Sequence, residues 1–250
     1  MCLIVLAWKA DARYALLLGA NRDEYHQRPS APAGHWREAP QVLAGRDLKA
    51  GGTWLGVTSE GRFAAVTNYR DPRQQRPDVR SRGELAGAFL TGADTARNYA
   101  RSAHALRGAY NPFNLIVGDA EECWFVGSRE REPLAMKPGL HGLSNASLDT
   151  PWPKVERSRR MLDQALASID PEQALLAGLA DRSQAPDREL PDTGIGLELE
   201  RHLSPPFIVG EQYGTRASTV LTIRTDGGIR LVEQGYGPGG VPGERAEFEV

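Results

Sequence analysis

The chain has 250 residues, 40% of them hydrophobic, and a formal net charge of −2. That length supports a sizeable core, and the near-balanced charge gives no global basic field for nucleic acid. Two cysteines, Cys2 and Cys123, make no disulfide framework and fit a reducing cytoplasm, while the excess of arginine over lysine suggests a bacterial source.

After Met1-Cys2 an apolar run extends to Trp8. It lacks a preceding basic region and is too short for a signal peptide or a membrane span, so the chain reads as cytoplasmic with no integral membrane segment. Leu3 to Trp8 and Tyr14 to Ala20 form a hairpin across a short polar loop. Asn21 to Arg28 reads as a polar loop leaving the second strand, continued by the Pro/Gly-bearing Pro29 to Pro40. Gly51 to Val57 and Phe63 to Asn68 make a second hairpin. Ser81 with Glu84 has the pattern of a capping box opening a helix to Leu90, and a second helix spans about Asp94 to Leu106.

Phe113 to Val117 and Cys123 to Val126 give a third hairpin, and a strand covers about His141 to Ser144. The longest helix starts at Pro153, with Val155, Ser158, Met161, Leu162, Ala165, Leu166 and Ile169 on one face. Pro171 starts a shorter helix, and Arg182 to Gly196 reads as a loop over a site. Phe207 to Val209, Ser218 to Ile223 and Ile229 to Val232 are the last strands, and 236–250 reads as a loosely ordered tail. No repeat or composition break divides the chain, so 1–250 reads as a single domain. Hairpin blocks separated by helix pairs fit an α+β fold of antiparallel sheets covered by helices, not alternating βαβ units.

No Walker loop, CxxC, HExxH or GxSxG occurs, and the five histidines show no ligand spacing, so no metal site is expected. Cys2 carries the chemistry. Removal of Met1 would leave a thiol and a free α-amine on one residue, a nucleophile with its own base. Cys2 could equally be a small hydrophobe in the first strand. Hairpin pairing sets the start of strand one beside the end of strand two, which brings Cys2 to Asn21-Arg22-Asp23-Glu24 at one rim. There an arginine lowers a thiol pKa and a carboxylate orients an amine.

Met1-Cys2, Asn21-Arg22-Asp23-Glu24, Gly52-Thr53-Trp54-Leu55-Gly56, Thr67-Asn68-Tyr69-Arg70, Leu143-Ser144-Asn145, Pro151 to Val155 and Tyr213 to Val220 together resemble the NRDE family, also called the transport and Golgi organisation protein 2 family. The resemblance covers nearly the whole chain. It implies a four-layer αββα sandwich of the N-terminal nucleophile hydrolase type. By similarity to bile-salt hydrolases and penicillin V acylases, it also implies catalytic roles. Cys2 is then the nucleophile, Arg22 and Asp23 the groups that hold it, Asn145 the oxyanion donor and Arg216 a late arginine completing the site. Asn145 could instead cap the following segment, and Arg216 could form a buried ion pair with Asp23 or Glu24. Asn21, Glu24, Trp54, Asn68, Tyr69 and Arg70 are candidate ligand contacts. Trp36, Trp54, Tyr69 and Trp152 could line an apolar cleft or belong to the core.

Two functions follow. One is hydrolysis of a linear amide or related acyl bond through a Cys2 thioester, needing no cofactor. The other is a carrier of haem, or of lipid or acyl-coenzyme A, as the resemblance implies. Cys2, His26 and His35 are the haem-ligand candidates, and Arg22, Arg28 or Arg70 would meet the propionates.

Overall fold

The computed structural model describes residues 2–250. Its strands are β1 (Cys2–Asp11), β2 (Tyr14–Tyr25), β3 (Ser30–Trp36), β4 (Ala39–Asp47), β5 (Leu55–Thr58), β6 (Phe63–Asn68), β7 (Phe113–Gly118), β8 (Cys123–Gly127), β9 (Leu134–Ala135), β10 (Gly139–Leu143), β11 (Tyr213–Arg224), β12 (Ile229–Tyr236) and β13 (Pro242–Glu249). The helices are α1 (Gly83–Thr91), α2 (Ala96–Ala105), α3 (Pro153–Leu166), α4 (Pro171–Gly178) and α5 (Leu197–His202). One antiparallel sheet has the order β10-β1-β2-β11-β12-β13 and the other β3-β4-β5-β6-β7-β8-β9.

Alternation along the central strands explains the layering. On β1 and β2, Ile4, Leu6, Trp8, Leu16 and Leu18 face the core shared with Leu43, Phe63, Ile116 and Phe125 of the second sheet. Their neighbours Val5, Ala7 and Leu17 point the other way, onto Leu162, Ala165, Leu175 and Leu179 of the α3–α4 layer. Strands buried on both faces read as continuous apolar runs. The outer face of the second sheet is closed by Leu85, Phe89, Ala96, Ala100 and Ala103 of α1 and α2. The result is the αββα order.

Several local expectations change. Asn21 to Tyr25 is strand, not loop, because β11 pairs along it. The segment expected as a loop from Pro29 to Pro40 supplies β3 and the start of β4. Pro32 is tolerated there because β3 is an edge strand with a register irregularity between Ala31 and Gly34. Ser81 makes no side-chain cap, since α1 starts from Arg82 and Glu84 pairs with Arg80. Ile169 lies beyond the end of α3 and is exposed. Phe207 and Ile208 are buried without forming a strand. The expected loose tail is β13, paired with β12 from Arg230–Glu249 to Tyr236–Pro242, and Phe248 packs on the core.

Candidate functional site

Cys2 lies opposite Arg22 in the β1–β2 register, as hairpin pairing predicts. The residue is partly exposed. Burial nonetheless pushes the thiol pKa up, opposed by the Arg22 charge and by a hydrogen bond from the Asp23 backbone N–H. The other end of the residue is fixed too, because Ser144 Oγ donates to the Cys2 carbonyl at 3.2 Å.

The polar cluster on β2 splits by alternation. Asn21 is fully buried and structural: its Nδ2 donates to the Leu179 and Pro206 carbonyls at 2.8 Å, and Ser218 Oγ donates to its Oδ1 at 2.6 Å. It therefore ties β2 and β11 to the segments bearing α4 and Phe207, and it does not line the Cys2 cavity. Arg22 turns toward the second sheet. It stacks on Trp54 at 4.1 Å from the ring centroid and donates to Ser30 Oγ at 3.2 Å. Asp23 is 2% exposed and accepts from Thr215 Oγ1 at 2.7 Å. Burial raises its carboxyl pKa, while the charges of Lys154 and Arg70 act to lower it. Glu24 faces Arg28 at 3.8 Å.

Cys2, Arg22, Asp23 and Glu24 share a cavity of about 470 Å³ with Trp54, Asn68 and Arg82. That volume suits a small molecule. Tyr69, Arg70 and Asn145 line a separate cavity with Trp152. Asn145 does not line the Cys2 cavity, and one N–H of its Nδ2 donates to the Asn68 carbonyl at 2.8 Å. Its carbonyl in turn accepts from Arg70 N at 2.7 Å. Thr67 Oγ1 donates to the Ser144 carbonyl at 2.8 Å and Asn114 Nδ2 to the Ala146 carbonyl at 2.7 Å. Asn145 thus belongs to a polar seam that fixes the end of β6 against the end of β10. It caps no helix, α3 being preceded by Trp152.

Arg70 is held in a buried ion pair with Glu200 at 2.6 Å, the two side chains being 7% and 4% exposed. Arg216 is the extra residue where the β2–β11 register shifts between Thr215 and Ala217. It donates to the Arg28 carbonyl and to Ser30 Oγ, and lines a second cavity that shares only Arg22 and Trp54 with the first. Neither the expected ion pair with Asp23 or Glu24 nor a place in the Cys2 cavity is seen. Trp36 is core. His26 follows β2 and His35 lies on β3 with Nδ1 at 2.8 Å from the Pro40 carbonyl; neither lines the Cys2 cavity.

Sequence reasoning missed three groups. Arg82 lines the cavity, hidden within the apparent capping box. Lys154 is 3% exposed, donates to the Leu203 carbonyl at 3.1 Å, and burial pushes its pKa down to about 8. Glu200 closes the Arg70 pair. Only Lys154 carried a signal, a charged residue next to the apolar stripe of α3. Among the described residues no group of three or more His, Cys, Asp or Glu side chains is arranged to hold a metal, and no helix is long and apolar enough to cross a membrane.

A family model described as Transport and Golgi organisation 2 matches residues 1–238. The Transport and Golgi organization protein 2 homolog of Bos taurus is 37% identical over 258 residues, covering 94% of this chain and 92% of that protein. The Mus musculus homolog is 34% identical with the same coverage. These animal proteins lend nothing to the bacterial source suggested by the arginine excess. Among solved structures, the C2A mutant of the conjugated bile acid hydrolase from Clostridium perfringens aligns over 100% of this chain and 92% of that one, with a TM-score of 0.54 at 8% identity. At that identity the likeness speaks for the N-terminal nucleophile hydrolase fold alone.

Proposed function

The chain belongs to the Transport and Golgi organisation 2 family, and we propose that its Cys2 cavity is an amide- or acyl-hydrolysing centre of the N-terminal nucleophile type. The observation that carries this reading is the placement of Cys2. It sits opposite Arg22, receives the Asp23 backbone N–H at sulfur and opens into a cavity of about 470 Å³. The solved bile acid hydrolase, a C2A mutant, also had a cysteine at position 2 before mutation.

In the proposed reaction Met1 is removed first. The freed α-amine, titrating near pH 8, takes the Cys2 proton, and the Asp23 carboxylate orients the resulting ammonium. The sulfur attacks the carbonyl carbon, forming a C–S bond and an oxyanion. Asn68, which lines the cavity, is the proposed donor to that oxygen, and Asn145 acts through Asn68 by holding its carbonyl. The C–N bond then breaks, the ammonium returns a proton to the leaving amine, and water cleaves the thioester to a carboxylic acid and a free thiol. A burial-raised thiol pKa is compatible with this cycle because the base is intramolecular.

A haem-carrying role draws less support, since neither His26 nor His35 joins Cys2 in its cavity. The test is limited alkylation of native protein read by mass spectrometry, followed by a screen of N-acyl amides with wild type and Cys2→Ala. The reading expects a chain starting at Cys2, labelling of Cys2 well ahead of buried Cys123, and turnover abolished in C2A. Turnover that survives in C2A, or that is full in chains retaining Met1, would overturn it.

A further inference from the structure

The charges around Cys2 do not balance. Five cationic side chains line the cavity, Arg22, Arg28, Lys49, Arg80 and Arg82, against the carboxylates of Asp23, Glu24 and Asp47. Arg28 is taken by Asp47 at 2.6 Å and by Glu24 at 3.8 Å, and Arg80 by Glu84 outside the cavity. Arg22 is committed to the Trp54 face and Ser30. Arg82 is different. Its one hydrogen bond goes to a neutral acceptor, the Pro112 carbonyl at 3.3 Å, and among the described residues it has no carboxylate partner. It is partly buried, and the charges acting to hold its proton are a Cys2 thiolate and, more weakly, the Glu24 carboxylate, with which it forms no ion pair.

Withdrawing a guanidinium from water without a counter-ion is costly, and the cost is recovered when an anion arrives. The cavity is also poorly suited to a long hydrocarbon. Beyond Trp54, Val66, Pro77 and Val79, its larger side chains are polar or charged. We propose that the Cys2 cavity takes a small amide bearing a carboxylate close to the scissile bond, with Arg82 as the carboxylate-binding, specificity-determining residue and Lys49 adding charge to the same cavity. This deepens the hydrolytic reading by naming its substrate class, and the anion site can be tested without turnover.

Iodoacetate and iodoacetamide are nearly isosteric, and both consume the thiolate. The ratio of their second-order rates at Cys2 therefore cancels the thiol pKa and reports attraction for a carboxylate. The expected ratio in wild type exceeds that of a free cysteine peptide, falls about tenfold in Arg82→Gln and recovers in part in Arg82→Lys. N-acetylglycine should protect Cys2 in wild type and N-acetylglycinamide should not, a contrast that decides the matter even if R82Q folds poorly. Equal ratios in wild type and R82Q, or equal protection by the two glycine derivatives, would overturn the anion site. Carboxylate preference with no amide turnover would leave the anion site standing and sink the hydrolase. Turnover indifferent to substrate charge would do the reverse.

Discussion

Glu200→Gln removes one charge from the buried Arg70–Glu200 pair while keeping its shape. The pair is 2.6 Å long with both side chains almost fully enclosed, and Glu200 also accepts from Thr193 N at 2.9 Å and from Thr193 Oγ1. Two unit charges centred about 4 Å apart at an effective dielectric of about 20 attract by about 4 kcal/mol. Breaking a buried pair from one side costs about 3–5 kcal/mol, because the remaining charge stays desolvated. For a chain of this size that is a loss of roughly 6–20 °C in melting temperature. Tryptophan fluorescence during urea unfolding measures it. Glu198→Gln on the exposed side of α5 is the control and should stay within about 0.5 kcal/mol of wild type. Adding Arg70→Met to E200Q should recover at least half of the loss, since an apolar replacement carries no desolvation cost. E200Q indistinguishable from E198Q, or a double mutant as unstable as the sum of the single changes, would refute the assignment of this pair as a buried clamp.

Three further outcomes are expected. His141 donates to Asp149 Oδ2 at 2.7 Å, and this bond raises its pKa; the Asp149 pKa is lowered by the same bond despite its burial. The raised histidine contributes stability below about pH 6.5 that fades as pH rises through its folded pKa, and the carboxylate's contribution is lost below about pH 4. His141→Gln should therefore cost most between those limits, and a deficit that grows toward pH 9 in urea titrations would contradict the pairing. Lys154 should behave in the opposite sense. With a folded pKa near 8, wild type should gain about 2–3 kcal/mol relative to Lys154→Met as pH rises from about 8 to about 10.5, and a flat difference would deny its burial as a cation. Phe248→Ala should lower stability by about 1–2 kcal/mol through lost packing of β13, whereas a loose tail would show no change.

The hairpin of β1 and β2 was legible because its loop is short and its apolar runs are long, and that alone brought Cys2 to Arg22. The cluster from Asn21 to Glu24 was misjudged as loop because its polar groups are satisfied from far away in the chain. Leu179, Pro206, Thr215 and Ser218 supply those partners. No local pattern announces a partner about 160 to 200 residues off. The same holds for Arg82, whose neighbours Ser81 and Glu84 mimic a cap, and for Glu200, which looks like any helix-surface glutamate. Proline misled at Pro32 and Pro242 because edge strands tolerate it and only the sheet order reveals an edge.

The seam at the ends of β6 and β10 has a mechanical consequence. Cys2, Arg22 and Asp23 ride on one sheet, whereas Asn68 and Arg82 ride on the second sheet and the segment that leads into its covering helix. The cavity is thus the open end of a hinge-like pair of plates, and Thr67, Asn114 and Asn145 act as its rivets. A change that tilts one plate at the opposite end, around Trp8 and Phe63, would move the two halves of the site apart without touching either. Displacements near 1 Å are enough to cost about a hundredfold in rate. Loss-of-function substitutions should therefore be sought along the full depth of the inter-sheet core as well as at its rim.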